Sequence, residues 1–261
     1  MIPDPLRYNV PGLERGLRIL QLFDRTRRTL AAAEMARALA IPRSTAFRLA
    51  QTLAHLGFLE REGDAYRVGP AVLRLGFEYI ASLEVAELAR AVVERLRDET
   101  GLSAQLVIRD GRDVVIVLKA SPPSTFASNV TVGTRLPAHA TTLGRVLLGD
   151  ADDKTLRALY PESTLPRVSP QTPRTLAELK RLIQEDRARG YAVSESFFEA
   201  GISAVAAPVR DAAGKIVAAV SVTAQRPALE KALRERLVKQ VLAAAAEVSH
   251  QLNYRPAEVA A

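Results

Sequence analysis

Apolar and polar positions along this chain follow two different periods, helical spacing in the first quarter and a mixture of helical and strand spacing afterwards. Apolar residues that recur every three or four positions mark one face of an amphipathic helix. Such a stripe predicts a first helix over residues 12–24. Its expected buried positions are Leu13, Leu17, Leu20 and Phe23.

Two more helices are predicted before residue 58. Residues 30–39 read as a short helix, with Thr29 placed to cap it. Its inward positions are Leu30, Met35, Ala36 and Leu39. After a tight corner at residues 40–42, the next helix begins at Pro42, whose missing N–H needs no partner in the first turn, and stops at Gly57.

The Pro42 helix has two distinct faces. One side is apolar and holds Ala46, Leu49, Ala50, Leu53 and Leu56. The other side holds Ser44, Arg48, Gln51, Thr52 and His55, with Arg43 and Phe47 at its edge. This polar face carries hydrogen-bonding groups and cations but no acid, which suits a helix in the major groove of DNA. Taken alone, the same pattern also fits a solvated surface helix.

The neighbouring segments favour the DNA interpretation. Residues 58–61 and 65–68 flank a Glu62-Gly63-Asp64 turn, which is a hairpin signal. Helix, corner, helix and hairpin make a winged helix-turn-helix, whose second helix enters the groove and whose wing follows the backbone. The predicted DNA contacts are Arg43, Ser44, Thr45, Phe47, Arg48, Gln51, Thr52, Arg61 and Arg67.

The remaining three quarters of the chain mix helices and strands. Helices are predicted over residues 71–81, 85–100, 138–148, 156–160, 176–189 and 229–252. Strands are predicted over residues 104–108, 114–118, 126–132, 191–194, 204–210 and 216–222. Grouped strands with helices between the groups predict an α+β fold with a mostly antiparallel sheet. We therefore expect a DNA-binding domain over 1–69, a linker helix over 70–83 and a second domain over 84–261.

The composition shows an uneven distribution of charge and excludes several classes of protein. The net charge is +7, and the first 70 residues hold eleven Arg, no Lys and seven acids, hence +4. Positive charge concentrated there suits a polyphosphate partner, although Arg predominates among the basic residues of the whole chain. The absence of Cys excludes a disulfide framework, and no apolar run reaches the ~18 residues of a membrane span. The N-terminus also lacks a signal-peptide pattern, so we expect a soluble cytoplasmic protein with no membrane partner.

Three segments of the first half carry a family resemblance. GLERGLRILQLF, MARALAIPRSTAFRLAQTLAHLGFL and YRVGPAVLRLG resemble the DNA-binding half of IclR-type bacterial transcriptional regulators. VGTRLPAHATTLGRVLL and RGYAVSESFFEAGISAVAAPVRDAAGKIVAAVSV resemble the effector-binding half of the same family, which has a GAF-like fold. The resemblance spans residues 11–254. It implies a winged helix-turn-helix joined by a linker helix to a GAF-like α/β effector-binding domain. One departure is Ala31, which stands where the family often has a capping Ser or Thr three residues before the Glu.

The resemblance also implies a ligand. Family members bind small organic acids between one sheet face and the helix that follows the HATTLGR segment, and unpaired N–H groups at a helix start suit a carboxylate. The positions carried over are Ser128, Thr141, Thr142, Leu143, Gly144, Ser194, Ile202, Ala204, Ser221 and Thr223. Members that bind glyoxylate-like acids have Asp in place of Ser194 and Cys in place of Ala204. The run GTRLPAHATTLGRVLL is more similar to the branch that senses protocatechuate or 4-hydroxybenzoate.

The expected function is a DNA-binding regulator that works as a homodimer or tetramer and responds to a small, aromatic acid. One alternative is a regulator whose second domain serves only oligomerisation. A packed interior at Ser221 and Thr223 would favour it, whereas a cavity would favour a ligand. The other alternative is a hydrolytic enzyme, with His139 beside Thr141 or near Ser203. The chain has no G-x-S-x-G segment and its three His are far apart in sequence, so we expect no enzyme, metal or cofactor.

Overall fold

The structure, a computed structural model, describes residues 8–24, 26–123 and 130–255, and the chain divides into two units, Met1–Ser82 and Leu83–Ala261. The helix predicted over residues 71–81 belongs to the first unit. None of the helices in the described ranges combines the length and apolar character needed to cross a membrane.

The first unit is a winged helix-turn-helix. Its helices are α1 (Pro11–Leu20), α2 (Ala32–Leu39), α3 (Arg43–His55) and α4 (Ala71–Ala81). Its strands are β1 (Thr29–Ala31), β2 (Leu59–Glu62) and β3 (Ala65–Val68). They form an antiparallel sheet in the order β1-β3-β2. The β2–β3 hairpin turns at Gly63, whose φ of +60° suits a residue without a Cβ.

The prediction of the α1 stripe was partly wrong. The helix ends at Leu20, and its buried residues are Gly16 and Ile19, with Leu20 partly buried. Leu13 and Leu17 are 63% and 53% exposed. Helix α1 carries two apolar stripes, and the one through Ile19 packs against the core around Met35.

The segment before α2 also differs from the prediction. Leu30 is buried but lies in strand β1, and α2 begins only at Ala32. Thr29 pairs with Arg67 in the sheet and does not cap the helix. The Ala31 N–H donates to Oε2 of Glu34 at 2.7 Å instead. The helix therefore starts with half of a capping box, because an Ala side chain cannot return the bond.

The corner between α2 and α3 consists of three residues, 40–42. Ala40 adopts a left-handed conformation with φ of 51° at the end of α2. Pro42 is the residue before the first helical residue of α3, one position earlier than predicted. Leu56, predicted to face the core, is exposed just after α3, since the helix has ended at His55.

The second unit is an α+β domain built on one antiparallel sheet. Its strands are β4 (Ser103–Asp110), β5 (Asp113–Ala120), β6 (Arg135–Pro137), β7 (Ala192–Glu195), β8 (Ser203–Arg210) and β9 (Ile216–Ala224), in the order β6-β5-β4-β9-β8-β7. Its helices are α5 (Glu84–Thr100), α6 (Thr142–Leu147), α7 (Asp153–Leu159), α8 (Leu176–Arg189) and α9 (Lys231–Gln251). Helices α5 and α9 pack on each other and on the sheet, and α6 packs between the sheet and α8.

One predicted helix of this unit was wrong, and one predicted strand can be compared with the structure only at its end. The single helix over 138–148 is broken: Ala138–Ala140 is a 3₁₀ turn, Thr141 is extended, and α6 follows. The break arises because the Thr141 hydroxyl caps α6, accepting from the Gly144 N–H at 3.0 Å. The strand predicted over 126–132 falls mostly outside the described residues, and its last three residues are not in a strand. The sheet edge beside β5 is formed by β6 instead.

Candidate functional site

Helix α3 presents most of its predicted DNA-contacting side chains to solvent. Arg43, Ser44, Arg48 and Thr52 are exposed, and Phe47 is 47% exposed. Thr45 and Gln51 are only partly exposed. Ala46 and Ala50, on the opposite side, are fully buried in the core of the unit. The helix is therefore held by small apolar residues while its cationic and hydroxyl groups point outward.

Arg43, Ser44, Phe47 and Arg61 line one concave surface of the first unit, together with Tyr66 and the start of α2. Arg67 is not among its lining residues. The surface joins the first turns of α2 and α3 to the wing, as a docking face for a duplex requires.

The two wing arginines are not free cations. Nε of Arg67 donates to Oε2 of Glu60 at 2.9 Å, across the hairpin. Nε of Arg61 donates to the Gly63 carbonyl at 2.9 Å, and Asp64 at the turn is fully exposed. The wing thus presents acids beside its arginines, which reduces its attraction for phosphate.

Gln51 has a bond within the protein. Its Nε2 donates to Oη of Tyr66 at 2.9 Å, which ties α3 to strand β3. Thr52 Oγ1 donates to the Arg48 carbonyl at 3.0 Å. Among the predicted DNA-contacting residues, the long cations of α3, Arg43 and Arg48, have no ion pair or side-chain hydrogen bond in the described part of the chain, unlike Arg61 and Arg67 of the wing.

The second unit contains a pocket of about 600 Å³, including its opening to solvent, between the sheet and the start of α6. Seven of the predicted positions line it: Thr141, Thr142, Leu143, Ser194, Ile202, Ala204 and Thr223. Gly144 and Ser221 are buried but are not lining residues, and Ser128 lies outside the described residues. Five lining residues were missed by the sequence analysis: Gln105, Val130, Leu136, Phe198 and Glu199.

One end of the pocket is polar because of the way α6 begins. The Thr142 hydroxyl is hydrogen-bonded to the Ser194 hydroxyl of β7, and both are buried. The N–H groups of Thr142 and Leu143 stand in the first turn, where no carbonyl of α6 precedes them. A Cβ at Gly144 would lie 2.0 Å from the Ala138 carbonyl oxygen, so the 3₁₀ turn can lie against α6 only because residue 144 is Gly.

The floor of the pocket comes from the sheet. Register places Ser194, Ala204 and Thr223 side by side on β7, β8 and β9. Gln105 of β4 lies opposite Ser221, and its Nε2 donates to Thr223 Oγ1 at 3.3 Å. Ser221 is fully buried, and its hydroxyl has no hydrogen-bond partner among the residues described. Thr223 therefore contributes to a cavity wall, not to a packed interior.

A buried ion pair lies behind α6. Nε of Arg145 donates to Oδ2 of Asp186 in α8 at 2.6 Å, and these side chains are 3% and 4% exposed. Nη2 of Arg145 donates to the Val193 carbonyl at 3.3 Å, and its guanidinium lies 4.4 Å from the centre of the Phe197 ring. Arg189 also pairs with Asp186. These bonds fix α6 against α8 and β7 and so hold the polar end of the pocket in place.

His139 is a structural residue in this arrangement. Its Nε2 is hydrogen-bonded to the Pro166 carbonyl at 2.8 Å, and its ring meets the Tyr160 ring edge-on at 5.9 Å. Burial raises the pKa of Tyr160 to about 12. Ser203 donates to the Arg226 carbonyl at 2.7 Å. No three His, Asp or Glu side chains in the described ranges are grouped as a metal site.

Comparison with known proteins matches both units to one family. The model of the IclR helix-turn-helix domain matches residues 12–63, and that of the bacterial transcriptional regulator IclR C-terminal domain matches residues 77–250. The chain is 32% identical to the Pca regulon regulatory protein of Pseudomonas putida over 246 residues, covering 92% of this chain and 84% of the relative.

Solved structures of similar fold belong to the same family. An IclR transcriptional regulator from Alicyclobacillus acidocaldarius is 30% identical, with a TM-score of 0.82 over 94% of this chain and 100% of the other. An IclR homologue from Microbacterium hydrocarbonoxydans, solved in complex with 4-hydroxybenzoate, is 26% identical, with a TM-score of 0.81 over 93% and 99%. Because these two family models together match nearly the whole chain, it belongs to the IclR family of bacterial transcriptional regulators.

Proposed function

We propose that this regulator binds its operator with an affinity set by a small aromatic carboxylic acid, held in the pocket of the second unit. The observation that carries the proposal is the pocket itself, which has apolar walls, a hydroxyl-rich end and an opening to solvent. A protein whose second unit served only assembly would have no need of such a cavity. Pockets of this kind, with a few convergent polar groups, are the usual sites of small ligands.

The aromatic character is supported by the walls. Val130, Leu136, Phe198 and Ile202 surround the space with side chains that carry no charge. A flat ring buries apolar area against them at about 25 cal/mol per Å². The relative from Microbacterium hydrocarbonoxydans binds an acid of this type, and the Pseudomonas putida relative is named for a Pca regulon.

The carboxylate belongs at the polar end of the pocket. There the hydroxyls of Thr141, Thr142 and Ser194 and the first-turn N–H groups of α6 supply hydrogen-bond donors. Hydrogen bonds to a charged group contribute about 1.5–3 kcal/mol each. Glu199 lies at the exposed rim, on the loop between β7 and β8, and disfavours a second carboxylate there.

On the DNA side, α3 is the recognition helix. Arg43, Ser44, Phe47 and Arg48 meet the major groove, and Arg61 reaches the backbone from the wing. Thr45, Gln51, Thr52 and Arg67 complete the proposed interface. One such helix reads only a few base pairs, so two copies on neighbouring half-sites supply the specificity, in a homodimer or a tetramer.

Titration of the full chain with 4-hydroxybenzoate, in calorimetry and in a gel shift, tests the proposal. The duplex is one selected by the protein from a random library. We expect heat of binding, a raised melting temperature and a change in DNA affinity of about 5–150-fold. The acid can shift DNA affinity only by binding the two states differently.

A pocket-filling variant provides the matched comparison. Ala204→Phe places a ring in the pocket and should abolish acid binding, whereas Ala213→Phe adds the same ring at an exposed turn and should leave the response unchanged. Both variants are first checked for an unaltered melting temperature in the absence of acid. If neither 4-hydroxybenzoate nor benzoate binds the natural protein, the proposal is wrong.

A further inference from the structure

The pocket has a second polar end that the sequence analysis did not include. Gln105 lines the pocket, is 7% exposed and donates from Nε2 to Thr223 Oγ1 at 3.3 Å. It lies on β4, whereas Ser194 at the first polar end lies on β7. Two strands separate β4 from β7, so the two ends are three strand spacings, about 14 Å, apart across the sheet.

The region between these two ends is apolar. Ala204 occupies β8, and Val130, Leu136, Leu143 and Ile202 complete the wall. A ring acid whose carboxylate occupies the Thr142 and Ser194 end therefore directs its opposite position toward Gln105. A substituent at that ring position therefore contacts hydrogen-bonding atoms and not apolar side chains.

The Gln105–Thr223 pair keeps two donors and an acceptor available for that group. A carboxamide has two N–H donors and an accepting oxygen, and a Thr hydroxyl both donates and accepts. The bond between them uses one donor and one acceptor. The Thr223 hydrogen, the second Gln105 N–H and the Gln105 oxygen remain; if the amide is turned over, the two Gln105 N–H groups and the Thr223 oxygen remain instead, which is the same number of donors and acceptors.

Ser221, next to Gln105, is a second buried polar side chain with unused hydrogen-bonding capacity. It lies directly opposite Gln105 on β9, is fully buried, and its hydroxyl has no partner in the described part of the chain. Cross-strand side chains at such positions are close enough to interact. Ser221 does not line the pocket, so its hydroxyl adds to the polar surroundings of Gln105 and is not itself a contact for the bound group.

We propose that Gln105 and Thr223 determine the specificity of the pocket, by selecting ring acids that carry a hydroxyl opposite the carboxylate. A phenolic hydroxyl donates to the Gln105 oxygen and accepts from Thr223, so it matches both remaining groups. Hydrogen or methyl at that position leaves both groups desolvated and unpaired. This inference rests on the proposed function of the pocket and names the group that the pocket reads.

Calorimetry on the full chain with benzoate, 4-methylbenzoate and 4-hydroxybenzoate tests it. The natural protein should bind 4-hydroxybenzoate at least about tenfold more tightly than benzoate, as one well-made hydrogen-bond pair predicts. Gln105→Leu, which keeps the side-chain size, should bring that ratio to about one while benzoate still binds. Thr223→Val, near-isosteric with Thr, should reduce the ratio in the same way and serves if the first variant fails to fold. Gln184→Leu, on the exposed side of α8, is the matched control and should keep the full ratio.

The outcomes separate this inference from the proposed function. Equal affinity of the natural protein for benzoate and 4-hydroxybenzoate, or a ratio that survives both pocket variants, overturns the role of Gln105 and Thr223 while the acid pocket stands. If none of the three acids binds the natural protein, the proposed function fails and this inference fails with it. Loss of the ratio in both variants, with benzoate still bound and the ratio of the control unchanged, supports the inference.

Discussion

Replacing Asp186 by Asn should destabilise the second unit more than any change at its surface ion pairs. The Asp186 carboxylate accepts hydrogen bonds from Arg145 and Arg189, and Arg145 is almost completely buried. Asn has nearly the same size as Asp but no charge. The substitution therefore leaves the Arg145 guanidinium buried without a counter-charge, with the neutral Asn oxygen, the Val193 carbonyl and the Phe197 ring as its remaining partners.

The expected loss in the free energy of unfolding follows from the missing counter-charge. Removing one partner of a buried ion pair costs about 3–5 kcal/mol, because the remaining charge stays desolvated. For a unit of this size each kcal/mol shifts the melting temperature by about 2–4 °C, so we expect a decrease of about 6–20 °C. One guanidinium nitrogen, Nη1, already lacks a partner in the described residues, which leaves little room for compensation.

Differential scanning calorimetry of the full chain measures this effect. The control is Glu185→Gln, which removes the exposed i,i+4 pair with Arg181 on the same helix and should cost at most about 0.5 kcal/mol. Combining Arg145→Met with Asp186→Leu removes both charges and should recover part of the loss. A destabilisation below about 1 kcal/mol for Asp186→Asn would refute the reasoning, since the guanidinium would then have found water or another partner.

Two further predictions concern DNA binding and pH. Arg48→Ala should weaken operator binding by about 1–3 kcal/mol in a gel shift if Arg48 contacts a base edge, and more than Arg67→Ala, because Arg67 is already held by Glu60; equal losses would contradict this ranking. Tyr160→Phe should be neutral or stabilising near pH 7 in urea denaturation, since the buried Tyr160 hydroxyl has no partner in the described ranges. The pKa of Tyr160 is raised to about 12, so the folded state holds the phenolic proton more tightly than the unfolded chain does. The contribution of Tyr160 to the free energy of unfolding is therefore complete below about pH 10 and is lost as the pH rises toward 12. The variant should lack that fall, and parallel curves for the two proteins would rule the explanation out.

Local patterns predicted most of the secondary structure because their causes are local. The β2–β3 hairpin follows from a glycine turn between two short segments of strand-forming residues, and α8, predicted over residues 176–189, ends as expected at Gly190. The stripe on α1 could not be assigned in this way. Two apolar stripes run along that helix, and only the packing of Ile19 decides which one is buried.

The pocket was predicted incompletely for a related reason. The family resemblance supplied the residues around α6 and β7, but Gln105 enters through the pairing of β4 with β9, whose partner lies more than a hundred residues away. Phe198 and Glu199 come from a loop without a periodic pattern. Arg145 and Asp186 are 41 positions apart, and neither residue alone indicates a buried pair. A helix start, by contrast, can be misread locally, as the extended Thr141 within residues 138–148 illustrates.

The close approach at Gly144 has a consequence for how this protein can evolve. Any side chain at that position would collide with the backbone of Ala138, so every descendant that keeps this helix start must keep the glycine, whatever acid it senses. Ala204 lines the pocket on β8 and is under no such constraint. New effector preferences can therefore arise by a single substitution at Ala204, while the part of the pocket that receives the carboxylate is inherited unchanged.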